Sequence, residues 1–496
     1  MNLLKKQGFY NSLILYAGTA LGFFNLVILF QRFLTIEEIG FFSLMIAISL
    51  IYAQFASLGI SNIILRYFPY YNTPDGKHNG FGKFILVYCS ISFVLFTLLF
   101  IVFKNPVIAH YSKEKGASLL VKYYYYLVPV SLLTMVYTVV ESMARAIFKN
   151  VLSAFLREVL LRVFTTISIL LIAAAWINYQ DFLMIYLAAN LLVAIVLWYS
   201  VYKAGHFRLS PISEHMLDNR VMFLKFGLFT VLSNSSFALL QNLDILMLSS
   251  LTSESLKFVG IYNTFFNIAV VISLPAKAMN RTSLQIVSQA WAANDLPKID
   301  KIYYKTSVVQ MLIGCLLFIG LVVNREFILV LLKKHDYAGY FNVFIIVGIG
   351  FLVDITGGLN GYIMNASKYY RLTTLFLGVT VVFCIIANFI LIPSLGILGA
   401  AISYTITMFA LNFMYWLFVK VKFGLQPFGK AHLLILLVSV IALLVGLYLP
   451  LVHNIWADVC LRSVMVGIIY VSLSYFLKIS TDINELFDGV LKRKNK

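Results

Sequence analysis

Charged side chains are scarce in this chain: they make up 12% of 496 residues, with only 20 Asp and Glu to set against 38 Lys and Arg. Soluble domains carry roughly twice that share of charge, so a water-facing globule is excluded. Cysteine is rare too. Cys89, Cys315, Cys384 and Cys460 stand singly inside apolar runs with no CxxC spacing, which excludes a zinc ribbon or a redox pair and leaves them as small apolar filler. The 7 histidines form no HxxxH pair, so the sequence offers no metal site, and it implies no cofactor. No stretch reads as a soluble domain.

What the chain has in abundance is apolar length. It is 61% hydrophobic, and runs of about 20 apolar residues, enough to cross a bilayer, recur from 9–33 to 459–478 with short polar links between them. The expected fold is an all-α membrane protein of about 14 transmembrane helices. Residues 9–33 end in Gln31-Arg32 rather than a small-residue cleavage site, so they read as a retained helix. The net charge of +18 follows from topology: 26 of the 38 basic residues fall on the side carrying both termini, 8 on the other and 4 inside spans. By the positive-inside rule both termini are cytoplasmic, and nucleic acid is not needed to explain the charge.

The longest link on the cytoplasmic side, Lys203 to Lys225, follows the sixth span and divides the chain. An internal repeat supports that cut: LTIEEIGFFS at Leu34–Ser43, between spans one and two, resembles LTSESLKFVGIYN at Leu251–Asn263, between spans seven and eight. The expected organisation is an N-terminal lobe at 1–203, a cytoplasmic linker at 204–221, a C-terminal lobe at 222–420, and two extra helices with a basic tail at 421–496. Two six-helix lobes around a central cavity fit the rule that transporter sites lie at repeat interfaces.

Polar residues inside the spans form stripes. On a helical wheel Asn11, Gly18, Gly22, Asn25 and Arg32 of span one share an arc of about 80°. Thr134, Thr138, Glu141 and Arg145 run down one face of span four; Ser233, Asn234, Gln241 and Asp244 share one in span seven. Span eight gathers Asn263, Asn267, Lys277, Arg281 and Gln285, and span ten Asp354, Gly358, Gly361 and Asn365. Helix packing explains the small and hydroxylic residues. It explains Lys277 and Arg281 poorly, since two cations at i, i+4 repel unless hydrated or facing an anion; for Arg281 snorkelling competes, as it does for Arg462. Asp354 lies about 18 Å from either end of its span, where a carboxylate marks an ion path or a structural pair. Glu141 has a partner in Arg145 at i, i+4. Spans thirteen and fourteen are nearly featureless and read as lipid-facing.

Three motifs carry a resemblance: Gly18-Thr-x-x-Gly-Phe23 followed by Leu34-Thr-x-Glu-Glu-x-Gly40; Leu243-Asp-x-x-Met-Leu248 with Gly260-x-Tyr262; and Asn388-x-x-Leu-Ile-Pro-x-x-Gly-x-x-Gly-Ala-Ala-Ile-Ser403. In the third, Pro393 and Gly396 are expected to make the turn between spans eleven and twelve. Over essentially its whole length the chain resembles the polysaccharide-flippase branch of the multidrug/oligosaccharidyl-lipid/polysaccharide exporter superfamily, the Wzx-like O-antigen transporters. The resemblance implies a bacterial inner-membrane exporter, not an enzyme, that moves an undecaprenyl-pyrophosphate-linked oligosaccharide by alternating access, with polysaccharide assembly proteins as partners. On this reading Arg32, Arg145, Lys277 and Arg281 attract the anionic head group, and Asn25, Gln241, Asn263 and Asn267 meet sugar hydroxyls. Asp244, Asp354 and Glu141 are placed to couple an ion gradient of H+ or Na+. The alternatives are a cation-coupled drug or metabolite exporter, a lipid II flippase, or a membrane glycosyltransferase or polymerase using Glu37 and Glu38.

Overall fold

The computed structural model describes residues 3–105, 108, 118–205, 209–450, 452–480, 484 and 485. Among the described residues there is no strand, and twelve helices are long and apolar enough to cross a membrane. Two further helical stretches stand at the places of expected spans five and seven: Asn150–Ala173, interrupted by a wide turn, and Arg220–Leu251. The chain is a multi-pass membrane protein.

Contacts divide it into two compact units, Met1–Asn263 and Thr264–Lys496. Unit 1 holds α1 (Leu3–Phe23), α2 (Ile36–Ala56), α3 (Ile60–Tyr71), α4 (Phe81–Val102), α5 (Leu127–Ala146), α6 (Asn150–Phe155), α7 (Leu161–Ala173), α8 (Tyr179–Lys203), α9 (Arg220–Leu251) and the start of α10 (Ser255–Val270). The threonine of the shared Leu-Thr-x-Glu pattern has a structural role at its first copy. Thr35 accepts from the Glu38 amide while Glu38 accepts from the Thr35 amide, a reciprocal cap that starts α2. Asn178 and Asp181 start α8 in the same way. Between α1 and α2 the helix widens into a π turn at Phe24–Leu29, and Leu156–Leu160 forms a second between α6 and α7.

Unit 2 continues α10 and adds α11 (Leu274–Ala292), α12 (Leu296–Val323), α13 (Phe341–Thr356), α14 (Asn360–Ala366), α15 (Tyr370–Leu395), α16 (Ile397–Phe423), α17 (Lys430–Tyr448) and α18 (Ile455–Phe476). Two expectations change here. Pro393 stays inside α15, and the turn into α16 contracts to Gly396 alone, at φ +57° and ψ −130°. Gly399 lets the two backbones approach closely: a Cβ there would lie 2.1 Å from the Leu391 carbonyl oxygen. Arg462 does not snorkel. It is buried, paired with Asp458 at 2.8 Å, and donates to the carbonyls of Gly446 and Leu449, so it ties α18 to α17. Both helices expose a leucine-rich side, yet their other side packs on α12 around Ile435, Val438, Ala442 and Val466, with His432 bonded to Ser307 at 2.9 Å and Tyr470 donating to Leu312 O.

Candidate functional sites

The densest charge within the membrane spans of unit 1 lies where α5, α6, α7 and the wide turn between the last two meet. Glu141 is shared by two guanidinium groups, Arg145 at 3.4 Å and Arg157 at 3.8 Å. Arg157 also sits 5.3 Å from the Tyr137 ring, whose hydroxyl is fixed on Ser153 O. One turn on, Glu158 pairs with Arg162 at 2.8 Å, and Arg162 donates to Gly18 O of α1. Gly18 and Gly22 allow this approach, since a Cβ on either would run into Glu158 or Arg162. Three guanidinium groups thus answer two carboxylates, leaving a surplus positive charge. The Arg145 and Arg157 side chains keep 45% and 38% of their surface open, so the surplus faces accessible space and an anion could reach it.

Of the three charged residues beside Glu141 and Arg145, namely Arg157, Glu158 and Arg162, sequence patterning singled out none; the signal was the Arg-Glu-x-x-x-Arg run itself, which holds an i, i+4 pair inside an apolar segment. Asn25, expected to meet sugar, is buried and fully engaged: it donates to Arg162 O at 2.9 Å and accepts from Thr166 at 2.7 Å. It holds α1 on α7. Arg32 is exposed at the end of the α1 segment, and Gln241 is exposed on α9.

A second feature of unit 1 is the meeting of the two repeat copies. Gly40 and Gly260 stand at matching places in the motifs, and they pack on each other's strand of backbone. A Cβ on Gly40 would lie 1.9 Å from Leu256 O, and one on Gly260 would lie 2.3 Å from Ile36 O. Three residues past each glycine, Ser43 and Asn263 are joined by a 2.7 Å hydrogen bond, so the polar contact joins matching positions as well. Asp244 is buried beside this seam and accepts from Tyr262 at 2.9 Å. Glu38 is held in its cap and Tyr179 donates to its carbonyl.

In unit 2 the expected midplane carboxylate has a polar chain around it. Asp354 accepts from Asn412 of α16 at 3.1 Å, Asn412 accepts from Asn360 of α14 at 2.9 Å, and Asn360 in turn accepts from the Gly361 amide. Gly357 makes room, since a Cβ there would lie 2.3 Å from Asn412 Oδ1. Asp354 is exposed and the Lys277 charge acts on it, so this carboxylate and ammonium share an open region. Asn267 is half-buried, and the side chain of Arg281 lies outside the described residues. Among the described residues no cluster of three metal-binding side chains occurs.

Comparison with known proteins places this architecture. A family model described as polysaccharide biosynthesis protein matches residues 4–284, more than half the chain, and one described as MatE matches residues 230–390. The capsular polysaccharide biosynthesis protein CapF of Staphylococcus aureus is 27% identical over 163 residues; the match covers 32% of this chain and spans 41% of CapF. Among solved structures, the lipid II flippase MurJ in an inward closed conformation superposes with a TM-score of 0.76, over 94% of this chain and 98% of MurJ, at 14% identity. An inward-facing multidrug resistance MATE family transporter superposes at 0.60, over 83% of this chain and 94% of its own, also at 14% identity. At that identity the superpositions establish a common fold, and these families and neighbours are transporters and flippases. The chain belongs to the polysaccharide biosynthesis protein family.

Proposed function

We propose that the protein is a bacterial inner-membrane flippase for a lipid-linked oligosaccharide carrying a pyrophosphate, with both termini cytoplasmic. The observation that carries this reading is the guanidinium surplus at Arg145, Arg157 and Arg162. An anion drawn from the cytoplasm into a membrane needs a counter-charge that is accessible yet held in place. Glu141 supplies the holding, since it keeps two mutually repelling cations together until an incoming phosphate replaces it. Arg32, Lys277 and Arg281 are further cations for the anionic head group, and Gln241 and Asn267 meet sugar hydroxyls. Asp354, with Lys277 near and Asn412 on it, is the group that couples an H+ or Na+ gradient; Asp244 and Glu141 serve structural pairing. Alternating access requires the Gly40–Gly260 seam to part, and the O-antigen or another surface polysaccharide is the product it serves.

The test is flipping of a fluorescent lipid-linked oligosaccharide by the purified chain in liposomes. Arg145→Ala with Arg157→Ala abolishes transport at unchanged expression; full activity of that double variant refutes the reading. The open carboxylate at Asp354 favours a second reading, a cation-coupled exporter. Uptake of an organic cation driven by Na+ or H+, with no flipping of the glycolipid, would establish that alternative.

A further inference from the structure

A cavity of about 400 Å³ opens in unit 1 where α3 stops and α9 begins. Its lining includes Arg66, Tyr67, Tyr70, Tyr71, Asn79 and Asn219. The first four are at i, i+1, i+4 and i+5 on α3, and Ile63, Ile64, Phe68 and Tyr71 anchor the helix in the core. Arg66 is exposed and lies 4.6 Å from the Phe226 ring and 5.4 Å from Tyr67. Among the described residues no carboxylate comes within ion-pair distance of it. Two aromatic rings therefore position a guanidinium group whose N–H donors have no anion of the protein's own.

The rest of the lining is held in place by its surroundings. Asn79 adopts a left-handed backbone at φ +54°, and its carbonyl accepts from the Ser213 amide at 3.1 Å. The turn leading into it is closed by Asp75, which accepts from Thr73 and from the Lys77 amide, and by His78, which exchanges bonds with Thr73. Those bonds, that of the Thr73 hydroxyl first, hold the Asp75 carboxyl below its ordinary range. Asn219 reaches the Tyr71 hydroxyl at 3.3 Å and begins α9 without a side-chain cap, so the positive end of that helix lies at the rim. Tyr70 is 82% exposed. Among the described residues no carboxylate lines the cavity.

We propose that this cavity binds the glycosyl diphosphate head group of the transported lipid before it enters the membrane-embedded path. A lone phosphate would need only Arg66 and the helix end. Phenols and carboxamides around a volume within the usual range for small-molecule sites supply donors and acceptors for sugar hydroxyls beside the anion. The identity of the ligand rests on the transport reading above; the existence of the site does not.

The experiment uses the full chain in phosphatidylcholine nanodiscs, titrated calorimetrically with uridine diphosphate N-acetylglucosamine as a soluble glycosyl diphosphate and with inorganic pyrophosphate as the anion alone. Saturable binding of the sugar diphosphate is expected, tighter than that of pyrophosphate. It weakens by about tenfold or more in Arg66→Ala, less in Arg66→Lys, and is unchanged in Arg371→Ala, an exposed cation over Tyr370 in unit 2. Absence of binding by the wild type, equal binding by Arg66→Ala, or loss of binding when phosphatidylglycerol is added to the discs each overturns the proposal; the last would assign the cavity to bulk anionic lipid. Because flipping is measured separately, a chain that flips glycolipid without binding the probe refutes only this site, and one that binds without flipping refutes only the transport reading.

Discussion

The seam where the repeat copies meet makes a quantitative prediction. Gly40→Ala would put a methyl carbon 1.9 Å from Leu256 O, closer than real Cβ contacts come, and the obstacle is backbone rather than a side chain that could swing away. α2 and α10 must separate there by roughly 1 Å or more, and forced overpacking of this kind costs about 1–3 kcal/mol. The Ser43–Asn263 bond, one helical turn away, is lengthened by the same shift, and a bond of its class contributes about 1 kcal/mol. A total of about 2–4 kcal/mol reduces the closed seam by about thirtyfold or more relative to any state in which it is parted. The assay is oxidative cross-linking of Ser43→Cys with Asn263→Cys, whose native side-chain tips are 2.7 Å apart, in a chain whose exposed Cys460 is replaced by serine. Adding Gly40→Ala or Gly260→Ala slows cross-linking by about tenfold or more. Gly378→Ala and Gly467→Ala, where a Cβ meets nothing within 4 Å, leave it unchanged. If Gly40→Ala cross-links as fast as its parent, the seam is not a close-packed contact and the reasoning fails.

Arg462→Ala leaves Asp458 buried beside an apolar core, a loss of about 3–5 kcal/mol, so the thermal midpoint in detergent falls and the Asp458→Asn, Arg462→Met pair recovers most of it; an unchanged midpoint in the single variant would contradict the buried pairing. Asn412→Leu removes the donor on Asp354 and the acceptor for Asn360, and should flatten the dependence of transport on the Na+ or H+ gradient by about tenfold while expression holds; an intact gradient dependence would remove Asp354 from coupling. Because the folded chain holds the Asp75 carboxyl low, it binds fewer protons there than the unfolded chain, so its stabilisation is present above the ordinary carboxylate range and lost as pH falls through the lowered value. Amides of residues 73–78 should accordingly lose hydrogen-exchange protection on acidification, and Asp75→Asn should lack that protection at neutral pH; protection unaffected by either change would count against the turn's dependence on Asp75.

Span positions were legible because a bilayer leaves the backbone one solution, and each long apolar run took it. The repeat was legible for a related reason: Thr35 is a helix-starting residue, and Gly40 and Gly260 are glycines because backbone occupies the space where a Cβ would be. The three extra residues of the second copy fall between Glu254 and Gly260. Partnership was not legible. A wheel gives the face on which Asn25 lies, but the groups that engage it, Arg162 and Thr166, come from 137 and 141 residues further along the chain. Arg462 was misread for the same reason, since its partners on Gly446 and Leu449 follow from how α17 and α18 pack, which composition does not encode.

The wide turns show a further limit of periodicity and explain how the cluster in unit 1 is built. In a regular helix Arg157 and Arg162, five residues apart, would point about 140° away from each other. A π turn absorbs one residue of that interval, reducing the divergence to about 40°. With Leu156–Leu160 wound this way, Arg157 reaches Glu141 on α5 while Arg162 reaches Gly18 on α1. The matching turn at Phe24–Leu29 contains Asn25, which takes hold of the Arg162 carbonyl. The two distortions therefore meet through the Asn25–Arg162 contact. Deleting one residue between Arg157 and Arg162 would return that stretch to ordinary winding while keeping the two guanidinium groups about 40° apart, so their pairings with Glu141 and Glu158 should survive the loss of the wide turn.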